Sequence, residues 1–106
     1  LIRDRIANRA HDDPVVLMGD FNAGESNPAI TSINNSDLIH AYRALHPDEA
    51  LVGTFNAFTG NSDGEMIDHI FVSSGVKILD ADIDRTNDNG RYPSDHYPVW
   101  STVELP

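Results

Sequence analysis

Three short stretches place an acidic side chain beside Asn or His at the end or start of an apolar run. Gly19-Asp20-Phe21-Asn22 follows the run Val15–Met18. In extended backbone, residues two apart point the same way, so Asp20 and Asn22 can face one pocket with Phe21 packed beneath them. An Asp that merely caps its own turn has the same spacing. Ile67-Asp68-His69-Ile70-Phe71-Val72 sets a carboxylate into an apolar strand. Burying a charge is costly unless it is paired, so Asp68 demands a partner, whether a backbone amide, an Arg or a functional group. His69 points to the opposite face, as a packed or an exposed histidine. Pro93-Ser94-Asp95-His96-Tyr97-Pro98-Val99 stiffens an Asp-His pair with two prolines ahead of the last apolar segment. Adjacent Asp95 and His96 cannot readily bond each other and share a target. One of them then holds a metal or a water, while the other meets a phosphate or is oriented by a distant carboxylate. Asp68 is the candidate to orient His96, since an Asp–His pair fixes the imidazole tautomer and raises its basicity. A plain surface turn is the competing reading.

These residues need elements to carry them. Leu1, Ile2, Ile6 and Ala10 fall at helical spacing and predict an amphipathic helix, ended by Asp12-Asp13-Pro14. The β-branched run from Val15 to Met18 predicts a buried central strand that stops at Gly19. Asn27 is expected to cap a short helix with Pro28 at its first position. Leu38, Tyr42 and Leu45 continue at helical spacing and halt before Pro47. Gly53–Asn56 predicts a short strand and Ile67–Val72 a longer one. Val76, Ile78, Ala81 and Ile83 predict another, with a phase break at Leu79 that reads as a bulge. Residues 86–93 are turn chemistry, and Val99, Ser101, Val103 and Leu105 alternate as a closing strand. The order α, β, α, then four β, with no repeat or linker, predicts a mixed α/β or α+β layer structure over residues 1–106.

The composition bounds the function. The 106 residues (11.7 kDa) suffice for a single core. A net charge of −10 and a pI near 4.5 leave no basic surface to grip nucleic acid by charge alone, so any phosphate chemistry must take its cations from metal ions or from elsewhere. The absence of cysteine excludes disulfide frameworks, thiolate zinc sites and Cys nucleophiles. No apolar run approaches the ~20 residues of a membrane span. No Gly-x-Ser-x-Gly is present, and Ser94, Asp95 and His96 cannot form a triad through adjacent side chains. Asp80, Asp82 and Asp84 have calcium-loop spacing, but Arg85 stands where such a loop needs Gly and Arg91 where it needs Glu.

GDFN, IDHIF and PSDHYPV, in this order and at these separations, resemble the endonuclease/exonuclease/phosphatase superfamily, which includes deoxyribonuclease I, abasic endonucleases, inositol polyphosphate 5-phosphatases and bacterial sphingomyelinases. Gly53-Thr54-Phe55-Asn56-Ala57-Phe58, with Gly64 ahead of IDHIF, is most similar to small bacterial metal-dependent hydrolases of that group. The likeness runs from Pro14 to Leu105. It implies a divalent-metal-dependent phosphoesterase. Asp20 would orient or deprotonate the attacking water, Asn22 would bond the scissile phosphate, and Asp68 would partner His96. His96 would contact the phosphate or assist proton transfer, and Asp95 would lie at the metal end. Mg²⁺ or Mn²⁺ suits such carboxylates and supplies positive charge at the phosphoryl oxygens.

The resemblance also implies a four-layer α/β/β/α sandwich, of which this chain matches the C-terminal half: a mixed, mostly antiparallel sheet with helices on one face. The Asn, the Glu and an additional His or Tyr of the family's first half have no counterpart here. The chain is therefore expected to leave one apolar sheet face for the missing half, or for a second copy, to cover. A non-catalytic binding module that retains the fold is the alternative function. The substrate class stays open among DNA, RNA, phospholipid head groups, inositol phosphates and small diesters. The acidic charge disfavours long polyanions.

Overall fold

The computed structural model describes residues 2–106, so the Leu1 part of the first expected helix lies outside the described residues. The elements are α1 (Ile2–Ala7), β1 (Val16–Asp20), α2 (Pro28–Asn34), β2 (Leu38–His40), α3 (Ala41–Leu45), β3 (Asp68–Ser73), β4 (Lys77–Ile83) and β5 (Val99–Glu104). They form an α+β structure with two antiparallel sheets, one ordered β1-β3-β2 and the other pairing β4 with β5.

Local chemistry explains most of these boundaries. Asn27 caps α2 by accepting from the Ala29 N–H, with Pro28 next in line, and Ile30 and Ile33 point from this helix into the core. The β4–β5 register slips between Ile78 and Asp80, so Leu79 is the extra residue that broke the alternation. Residues 86–93 turn back through a bridge between Asp88 and Arg91.

Three expectations are corrected. Among the described residues the stretch from Val15 is not a central strand: β1 is an edge of its sheet, and Val16 and Met18 are 47% and 68% exposed. Only the Leu17 side of β1 is covered, by the cluster of Ile30, Ile33, Leu38 and Phe71 under α1 and α2. Leu38 does not begin a helix. Leu38–His40 pairs with β3, and the helix starts at Ala41 with the His40 ring as its cap. Gly53–Asn56 is no strand beyond a single bridge from Phe55 to His96.

The other face of β3 carries Ile70 and Val72, packed with Ala41, Val76, Ile78, Val99 and Val103. This cluster joins the two sheets. A third cluster of Tyr42, Val52, Met66, Ile83 and Tyr97 fills the end near the loops. The Cα radius of gyration is 14.5 Å, against about 13 Å for a compact chain of this length, in keeping with the open face at Val16 and Met18.

Candidate active site

β1 ends at Asp20 and β3 begins at Asp68, and the antiparallel register sets these residues directly opposite each other. Their side chains therefore leave the sheet on one face. The segment that feeds β5 brings His96 over them. His96 Nδ1 lies 2.8 Å from Asp68 Oδ2, and Nε2 lies 3.8 Å from Asp20 Oδ2. With Nδ1–H donating to Asp68, Nε2 is directed at the open end of the site. Burial grades outward: the side chains of Asp68, His96 and Asp20 are 17%, 28% and 48% exposed. The hydrogen bond that His96 donates to Asp68, which outweighs partial burial, holds the His96 pKa above its ordinary 6.5, and the charges of Asp68, Asp20 and Asp95 add to it.

Asp95 stands at the rim. Its Oδ1 is 4.0 Å from His96 Nε2, too far for a hydrogen bond, and its backbone carbonyl accepts from Asn56 and Ala57. Asn22 enters the site by a different backbone route from that expected. Its φ of +51° breaks the extended alternation after Asp20, and its N–H donates to Asp20 Oδ1 at 2.8 Å. The turn leaves Asn22 beside Phe55 and His96 in one cleft. Phe21 packs beneath as expected, its ring edge on Phe71 and His69.

Two neighbouring residues, within the Gly53–Phe58 stretch that carried part of the resemblance but to which no role was assigned, lock this geometry. Thr54 is fully buried. Its Oγ1 accepts from the Ile67 N–H at 2.9 Å and the Asp68 N–H at 3.3 Å, while its carbonyl accepts from the Tyr97 N–H. It thus ties the start of β3 to the residue after His96. Asn56, 1% exposed, donates to the Ser94 carbonyl and accepts from the Phe58 N–H, holding Ala57 and Phe58 at φ of +50° and +60°. The exposed Phe55 ring meets the His96 imidazole edge-on at 5.4 Å. His69, left open between packed and exposed, is 1% exposed and bonded to His40. The desolvation argument that demanded a partner for Asp68 demanded one for His69 as well.

Asp20, Asp68 and His96 each offer a ligand atom within 4.8 Å of the other two. This oxygen-rich donor set, with Asp95 alongside, suits a hard divalent cation rather than a soft one.

An α+β scaffold that gathers GDFN, IDH and SDH into one acidic, histidine-bearing cleft defines a family. The sequence pattern of the endonuclease/exonuclease/phosphatase family matches residues 1–96, and the chain belongs to that family. No curated protein matches the sequence. Among solved structures, a mannosyl-6-phosphatase from Bacteroides thetaiotaomicron is 29% identical, with a TM-score of 0.77 over 98% of this chain and 42% of its own. A family member from the same organism gives a TM-score of 0.81 at 28% identity, over 99% of this chain and 41% of its own. Another from Bacteroides vulgatus gives 0.79 at 26%, over 99% and 41%. The chain thus spans about two fifths of the solved structures it matches.

Proposed function

We propose that this chain supplies the GDFN, IDHIF and SDH share of a divalent-metal-dependent phosphoesterase site, as the C-terminal half of a larger domain. The observation that carries the reading is the convergence of Asp20, Asp68 and His96 from three separate segments into one cluster. The likeness to a mannosyl-6-phosphatase supports phosphoric ester hydrolysis as the reaction class.

Each residue has a role its position allows. Asp20, the most exposed of the three, orients the attacking water and takes its proton. Asp68 holds His96 in the Nδ1–H tautomer. When His96 is protonated, its Nε2–H donates to a phosphoryl oxygen or passes its proton. Asn22, on its left-handed turn, donates its side-chain amide to the scissile phosphate. Asp95, at the rim, is the ligand assigned to Mg²⁺ or Mn²⁺. Such a cation, when bound, supplies positive charge at the non-bridging oxygens. Among the described residues no helix is long and apolar enough to cross a membrane. The exposed Val16 and Met18 mark the face that the other half of the domain, or a second copy, would cover.

The test is hydrolysis of bis-p-nitrophenyl phosphate and p-nitrophenyl phosphate with and without Mg²⁺ or Mn²⁺, beside His96→Ala and Asp95→Ala. Metal-dependent turnover that collapses in His96→Ala is expected. Asp95→Ala should raise the metal concentration needed for half-maximal rate. Turnover indifferent to EDTA would overturn the metal assignment. Silence toward every ester in the complete protein would favour a binding module that keeps the fold.

A further inference from the structure

On the face of β3 away from Asp68 runs a line of hydrogen bonds whose direction is fixed at both ends. The Arg43 backbone N–H can only donate, so His40 Nδ1, 3.2 Å away, is an acceptor. The Ala23 carbonyl can only accept, so His69 Nε2, 2.8 Å away, carries a hydrogen. A neutral imidazole has one donor and one acceptor. His40 Nε2–H must therefore donate to His69 Nδ1 across 2.9 Å. Every ring nitrogen is used, and only this one arrangement of tautomers satisfies the line.

The line ends on the segment that follows Asn22, and a second tie grips the same segment. The Arg43 guanidinium forks onto Glu25, Nε to Oε2 and Nη2 to Oε1, each at 2.7 Å. Arg43 and His40 both belong to the corner between β2 and α3. Ala23 and Glu25 are thus held from one rigid corner, and the His69 ring also packs on Phe21. Asn22 sits between these held residues in the left-handed region, with its own N–H fixed by Asp20. The Asp20 bond and the tolerance of Asn for this region favour the turn locally, and the ties on Ala23 and Glu25 hold the segment that leaves it.

We infer that His69 and Arg43 are positioning residues for Asn22. His69, kept in its tautomer by His40, and Arg43, through Glu25, hold the turn that sets Asn22 beside His96. This rests on the phosphoesterase reading above, since it gives Asn22 a substrate to meet. The competing role is purely structural, with the two histidines as satisfied filler of the core.

A double-mutant cycle in the complete protein separates the two roles. His69→Leu, His69→Gln, Asn22→Ala and the combination of His69→Leu with Asn22→Ala are compared for kcat and KM on whichever nitrophenyl or other phosphate ester the parent hydrolyses, with Tm measured for each. His69→Leu should lower kcat roughly 10–100-fold, the scale of an ångström-size misplacement. His69→Gln should recover most of it, because the Gln amide offers one donor and one acceptor. In the Asn22→Ala background, His69→Leu should cost less than about 2-fold more, since coupled residues are not additive. Should His69→Leu fail to fold, Arg43→Lys at the outer tie keeps the test alive and should lower kcat several-fold with the same loss of additivity. Full additivity with Asn22→Ala, or a Gln variant that matches Leu in rate at the parental Tm, overturns the inference.

If the parent hydrolyses neither nitrophenyl ester nor any DNA, RNA, phospholipid, inositol phosphate or small diester, the catalytic reading fails and amide hydrogen exchange decides the positioning claim. Arg43→Lys should then speed exchange at amides 22–26 while leaving the β1–β3 ladder unchanged. Parental exchange in that segment overturns it.

Discussion

Asp20 and Asp68 face each other as the last pair of the β1–β3 ladder, two carboxylates on adjacent strands pointing to one face. Like charges directly opposite in a sheet are destabilising, by roughly 0.2–1 kcal/mol on the scale of cross-strand pairs. The fold keeps this conflict where His96 reaches both. Asp20→Asn should therefore raise the Tm of the metal-free protein by a few degrees and abolish turnover. Thermal denaturation with the assay checks both, and a lower Tm would show that Asp20 is held by more than its repulsive neighbour.

His96 should titrate above 6.5 in the metal-free protein, because Asp68 favours the imidazolium. A raised pKa in the folded state means stabilisation that is full below the unfolded value and is lost as pH rises through the folded one. Asp68→Asn should move the His96 pKa down and flatten that loss. Histidine NMR titration of the two proteins decides it.

His40 should behave in the opposite way. Burial first, and the neighbouring His69 second, push its pKa down to about 4. The fold then favours neutral imidazole, with the stabilisation complete above pH 6.5 and lost progressively as pH falls toward 4. The full shift corresponds to about 3 kcal/mol. The prediction is acid-induced loss of stability in this window that His40→Gln suppresses. An unchanged pH profile in that variant would assign the loss to other groups.

Thr54→Val should cost about 1–3 kcal/mol, since the amides of Ile67 and Asp68 would lose their buried acceptor. It should also lower turnover, because Asp68 would no longer be fixed against His96. Denaturant unfolding beside the assay reads both effects. A stable variant with parental kinetics would show that the ladder alone places Asp68.

What the sequence revealed, and what it hid, follows from which interactions are local. The Asn27–Pro28 cap and the bulge at Leu79 are written into neighbouring residues, and both were legible. The three polar clusters stood out because a charge at the end of an apolar run needs a partner, whatever the fold. Val16 and Met18 misled for the opposite reason. Their run encodes burial on both faces, and the described residues cover only the Leu17 side. Leu38, Tyr42 and Leu45 share a helical period by coincidence across a three-residue strand, and histidine is not a usual cap. The local part of the Asn22 turn, Asp20 capping the Asn22 N–H, was the alternative reading of the Asp20–Asn22 spacing. The ties on Ala23 and Glu25 were hidden because they come from β2, α3 and β3, far along the chain.

Asp20 and Asp68 belong to one sheet, whereas His96 rides on the segment leading into the other. The two sheets meet through side chains, Ile70 and Val72 against Val99 and Val103, and share no ladder. The Asp68–His96 separation is thus a gauge of how the sheets dock. Trimming a methyl group in that seam, well away from any polar atom of the cleft, would let one sheet settle against the other and be read out as a change in chemistry. Residues that touch no substrate would then be under selection for rate.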